Sequence, residues 1–164
     1  MYDPEKLRQI IRTVIDEMGM WSQAAEELLL GTVAHESALG RWTHQIGGPA
    51  LGIYQMEPAT LIDIYDSYLK YRPEKLKLTK QITSVDSPDL NRLQYDPVYS
   101  TAMARLHYRR IKDPFPEAHN IVGLAEYWDK HFNRNPRKGT TAQFLENYHV
   151  LVLGATGNNI FDYH

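Results

Sequence analysis

Gly31-Thr-Val-Ala-His-Glu-Ser-Ala-Leu-Gly40 closes an apolar helix, and Arg41-Trp-Thr-His-Gln-Ile-Gly-Gly-Pro-Ala-Leu-Gly-Ile-Tyr-Gln-Met-Glu-Pro-Ala-Thr60 follows as a loop rich in glycine and aromatic residues. A carboxyl group at Glu36 is expected to be half desolvated by its own helix and by the loop folding over it, which would raise its pKa toward what a general acid needs near neutral pH. Glu36 is therefore the nominated acid.

Helical spacing extends outward from this segment. Asp3-Pro4 is an N-cap followed by proline at the first helical position, and Leu7, Ile10, Ile11, Val14, Ile15 and Met18 recur on one side before Gly19. Ser22 caps the helix that runs to Glu36. Pro58 opens a third helix carrying Leu61, Ile64, Tyr65, Tyr68 and Leu69, stopped at Arg72-Pro73. The segment 72–88 reads as an irregular connection. Asp96-Pro97 opens a helix with Ala102, Met103 and Leu106, and Asn120 caps one with Leu124, Tyr127, Trp128, His131 and Phe132. Thr140 and Gln143 form a capping-box pair for a last helix bearing Phe144, Leu145, Tyr148 and Val152, and 154–159 reads as a loose tail. Alternating strand patterns are weak, with short pairings allowed only inside 40–57. The expectation is a mainly α, compact single helical domain over 1–164 with an irregular loop at 40–57.

A chain of 164 residues with 43% hydrophobic residues can bury one core. The absence of cysteine excludes disulfides, thiol nucleophiles and thiolate zinc sites. A net charge of −2 argues against a phosphate-tracking nucleic-acid binder, and Arg134-Asn-Pro-Arg-Lys138, the densest basic cluster, reads as a solvated loop. No apolar run approaches the roughly 20 residues that span a bilayer, and Met-Tyr-Asp-Pro-Glu lacks a secretory pattern, so synthesis in the cytoplasm is expected. His35-Glu36 opens like a zinc-protease motif, but position 39, where the second histidine belongs, is leucine. No metal and no cofactor are expected, and the oligomeric state is left open.

The pieces Glu36-Ser37, Gly52-Ile53-Tyr54-Gln55 and Pro58-Ala59-Thr60 resemble the signature of the lytic transglycosylases and goose-type lysozymes, which pairs Glu-Ser with a later Gly-(Leu/Ile)-Met-Gln-x-x-Pro-x-Thr. The match is strongest over 30–60. Tyr54 stands where the family carries Met, and Ala125-Glu-Tyr127-Trp128-Asp129 is the nearest counterpart of a later Tyr-Asn-x-Gly. The resemblance implies an α+β lysozyme-like fold and action on peptidoglycan glycan strands in the bacterial cell wall. The wall lies outside the membrane, so a phage enzyme released by lysis or carried in a virion fits that implication. Ser37, Gly52, Tyr54, Gln55, Tyr127 and Tyr148 are then the expected substrate contacts. Gln55 holds a sugar amide or hydroxyl, Gly52 lets the backbone approach the ligand, and Tyr148 in Phe144-Leu-Glu-Asn-Tyr148 answers to the family's late tyrosine.

Glycosidic cleavage needs an acid for the leaving oxygen and a means of stabilising the cationic sugar. A hydrolytic muramidase uses a second carboxylate, at about 5 Å for retention or about 6.5–9.5 Å for inversion. Glu57, Asp63 and Asp66 are the candidates. A lytic transglycosylase, as the resemblance implies, works with Glu36 alone. It cuts between N-acetylmuramic acid and N-acetylglucosamine and leaves a 1,6-anhydro ring. The reading from another class is a non-catalytic module that binds glycan through the same groove.

Overall fold

In α1 (Pro4–Glu17) the Asp3 carboxylate accepts from the Lys6 amide and Pro4 occupies a position that needs no donor. Leu7, Ile11, Val14 and Ile15 form its buried side, and Gly19 turns the chain at a φ of 69°. Ser22 accepts from the Ala25 amide to start α2 (Gln23–Ser37). This helix packs against α1, α6 (Pro97–Arg109), α7 (Ile121–His131) and α8 (Thr141–Asn147). Covered on nearly every side, α2 has no polar face, which is why its apolar residues run round the whole helix. The computed structural model describes residues 1–45, 47–133 and 139–154. The basic stretch 134–138 and all but the first residue of the 154–159 tail lie outside the described residues.

Among the described residues the fold is mainly helical, as expected. Among the described residues of 40–57 the pairings are two isolated bridges, His44 with Leu51 and Leu51 with Met56, rather than strands. One apolar cluster joins α1, α2, α7 and α8 through Leu28, Leu29, Trp128 and Phe144. A second gathers α3 (Pro58–Ser67) and α6 through Leu61, Ile64, Tyr99 and Met103.

The irregular reading of 72–88 is corrected. After a 3-10 turn at Leu69–Tyr71, α4 (Pro73–Thr83) fills most of it, and α5 (Leu90–Tyr95) follows. Pro73 starts a helix here instead of only stopping one, because proline is compatible with the first helical turn. The pattern was hard to see because the buried positions of α4 are Thr79 and Thr83, not apolar residues. Their hydroxyls donate to the carbonyls of Lys75 (2.8 Å) and Thr79 (2.7 Å), so the inward polar atoms are satisfied within the helix. Asp96 caps α6 through the amides of Val98 and Tyr99, and Asn120 caps α7 through Gly123. The Thr140–Gln143 capping box is formed, and α8 passes into a π-helical turn at Tyr148–Val152.

Candidate active site

Beyond Ser37 the chain leaves α2 through three consecutive left-handed residues, Ala38 (φ 49°), Leu39 (60°) and Gly40 (80°). Two of these are not glycine, at a cost of about 1–2 kcal/mol each, and Leu39 is held there by burial in the core. Ser37 fastens the turn. Its hydroxyl donates to the Ile53 carbonyl at 2.6 Å and accepts from the Gly40 amide at 2.9 Å. Ser37 is fully buried, so it ties the 52–55 loop to α2 and is withdrawn from the expected ligand contacts.

This arrangement sets Glu36, 9% exposed, against a cavity of about 30 Å³ lined also by Gln55, Met56, Glu57, Thr60, His107, Phe132 and Asn133. Such a volume holds about two waters. The cavity is therefore too small to enclose a group the size of a sugar ring. From α7, the indole Nε1 of the fully buried Trp128 donates to Glu36 Oε2 at 3.0 Å. The half-exposed Trp42 donates through its own Nε1 to the Glu36 carbonyl at 3.2 Å, which fixes an indole face beside the acid. The charge of Glu36 also reaches Tyr108. Burial, opposed by a hydrogen bond to Thr32 and reinforced by Glu36, pushes that phenol well above its ordinary range.

His107 contributes an imidazole to the wall with both nitrogens engaged. Arg110 approaches Nδ1 at 3.0 Å and must donate, so Nδ1 accepts and Nε2 donates to the His131 carbonyl at 2.9 Å. Arg110 is itself held by Asp63 at 2.6 Å. Asp63 is thus a support for Arg110, and of the three carboxylates expected as alternatives only Glu57 lines the cavity. Glu57 stands at the start of α3 without making a side-chain cap hydrogen bond.

The expected sugar contacts divide. Gln55 lines the cavity in a left-handed conformation (φ 50°), its amide nitrogen donating to the Gly52 carbonyl at 2.9 Å. Gly52 is needed for a different approach from the one expected: a Cβ there would lie 2.1 Å from the Leu93 carbonyl, so α5 occupies the space assigned to a ligand. Tyr54 is corrected to a core residue, 1% exposed, with its hydroxyl 3.0 Å from Thr101 Oγ1 and its pKa raised by burial. Tyr127 donates to the Asp113 carbonyl at 2.8 Å, and burial together with the Asp113 charge pushes it up to about 12. Tyr148 is 4% exposed and donates to Glu27, whose carboxylate also receives Arg8. Neither Tyr127 nor Tyr148 lines the cavity of Glu36.

Sequence reasoning missed Trp128, His107, Trp42 and Asn133. Trp128 sits inside Ala125-Glu-Tyr127-Trp128-Asp129, one position from the tyrosine chosen there, and a tryptophan with a donor to satisfy was the available signal. Comparisons with protein-family models, with curated proteins and with solved structures gave no match. No helix among the described residues is long and apolar enough to cross a membrane.

Proposed function

We propose that this chain is a peptidoglycan lytic transglycosylase with Glu36 as its single acid and base. The observation that carries the reading is the setting of Glu36: a nearly buried carboxylate at a helix end, one oxygen held by the Trp128 indole, facing a small cleft beside Gln55. In this reading Glu36 protonates the oxygen between N-acetylmuramic acid and N-acetylglucosamine. The substrate's acetamido oxygen stabilises the cation that develops. Glu36 then takes the proton of the C6 hydroxyl as that oxygen closes the 1,6-anhydro ring, so no water is consumed. Gln55, on the cavity, hydrogen-bonds the sugar, and the exposed indole of Trp42, bonded to the Glu36 carbonyl, supplies an apolar platform for the sugar's C–H face. The lysozyme-like fold, and delivery to the wall from a phage particle or by lysis, belong to the same proposal.

Glu57 on the same cavity favours a second reading, a hydrolytic muramidase in which that carboxylate serves the water or the cation. Mass analysis of products from purified peptidoglycan separates the two. Anhydro-muramic ends, lighter by one water, support the first reading; reducing ends support the second.

A further inference from the structure

Arg105, on α6, is 7% exposed and has no carboxylate partner among the described residues. Its Nε donates to the Met20 carbonyl at 3.0 Å, and Nη1 is buried with no hydrogen-bond partner. Arg8 shows what such a group ordinarily requires, since its guanidinium is held by both Glu26 and Glu27. Buried cations are paired because an unpaired one loses its hydration without recompense.

Arg105 instead lines a cavity of about 230 Å³ that it shares with Arg109, Lys112, Asp113 and Phe115. Its guanidinium carbon lies 5.1 Å from the centre of the Phe115 ring. Asp113 is the acid on this cavity, and its carboxylate is already engaged by Lys130 at 3.1 Å and His131 at 3.0 Å. The positive charge is therefore left in excess. Burial and the neighbouring Arg109 lower the pKa of Arg105 to about 10, and Lys75 is lowered by burial and by Arg109, Arg72 and Arg105. The negative end of α6 favours cations in its last turn but offers no acceptor to Nη1.

We infer that this cavity is a phosphate-binding site, in which a phosphate group accepts from the edge of the Arg105 guanidinium that borders the cavity while Arg109 and Lys112 close on its outer oxygens. A planar guanidinium presents paired donors that match an oxyanion, and three cations facing one engaged acid favour a doubly charged group over a carboxylate. The inference is independent of Glu36, whose cavity shares no lining residue with this one.

The test is thermal denaturation and calorimetric titration of the full chain with inorganic phosphate, with glycerol 1-phosphate, and with acetate, each against chloride at matched ionic strength. Saturable binding of phosphate with a rise in Tm is expected. Tighter binding of glycerol 1-phosphate identifies a phosphate ester as the natural source, and tighter inorganic phosphate identifies the free ion. Arg105→Met should weaken phosphate at least tenfold and make Tm insensitive to it. Arg109→Gln with Lys112→Gln, both exposed and safe for folding, should weaken it severalfold, which decides the matter even if Arg105→Met does not fold. Binding no stronger than chloride, acetate equal to phosphate, or the parent's affinity in the Arg109/Lys112 variant would overturn the site.

Discussion

Trp128 and Glu36, separated by 92 positions in the chain, are joined by a 3.0 Å hydrogen bond from indole to carboxylate inside the core. The bond fixes α7 against the end of α2 and orients the candidate acid through a neutral donor. Trp128→Phe keeps much of the ring volume and removes the donor. We expect a loss of about 1.5–3 kcal/mol in denaturant unfolding, the range for deleting a hydrogen bond to a charged group. In a Glu36→Leu background the same change should cost less, giving a coupling energy of about 1 kcal/mol or more in the double-mutant cycle. Additive effects would mean that the bond contributes nothing.

Ser37→Ala removes the hydroxyl that bridges Ile53 and Gly40. The Ile53 carbonyl then loses that donor beside a buried side chain, and the left-handed turn at Ala38–Gly40 loses its fastening. Destabilisation of about 1–3 kcal/mol is expected, with faster amide hydrogen exchange across 52–56 than elsewhere. Uniform exchange would place the role of Ser37 in packing alone.

Much of the fold was legible because helix starts carry local chemistry: Asp3-Pro4, Ser22, Asp96-Pro97, Asn120 and Thr140-Gln143 all act as caps or first-turn residues. α4 was not legible, since threonines that bond their own backbone replace an apolar stripe. At the site, Glu36 and Gln55 could be placed on one cleft from a local segment. Tyrosine could not be assigned, because a phenol whose hydroxyl finds Thr101, Asp113 or Glu27 packs inside as readily as it faces a sugar. The contributions of Trp128 and His107 depend on helices meeting across the core, a relation that no local pattern contains.

Gly52→Ala should be among the most damaging small substitutions. The added methyl meets the Leu93 carbonyl of α5 at 2.1 Å, and the φ of 79° disfavours any side chain. A loss of about 3 kcal/mol or more is expected, with the Ser100–Leu93 contact displaced as α5 moves. A variant with parental Tm would show that α5 can yield at no cost.

Acid sensitivity should centre on Glu26. Burial works to raise its pKa, but hydrogen bonds from Arg12, Trp21 and Arg8 outweigh burial and hold it below the ordinary value of 4.5. A carboxylate lowered on folding stabilises above its unfolded pKa, and that contribution is lost as pH falls through the folded value. Stability should therefore decline below about pH 4.5, and Glu26→Gln should be weaker at neutral pH with a shallower acid decline. Parallel pH profiles for the two proteins would remove Glu26 from the acid transition.

Tyr148→Phe removes the hydroxyl that Glu27 accepts and leaves the ring in place. The structure separates it from the cavity, so reduced stability with unchanged turnover per folded molecule is expected. A rate loss at parental stability would return Tyr148 to the site.

The most direct measurement is the turnover of purified peptidoglycan by the parent and by Glu36→Gln, with folding checked by circular dichroism. Glutamine keeps the shape and an acceptor for the Trp128 indole but has no proton to give, so a loss of at least about a hundredfold is predicted with the fold intact. Cleavage by Glu36→Gln at the parent's rate would contradict the account.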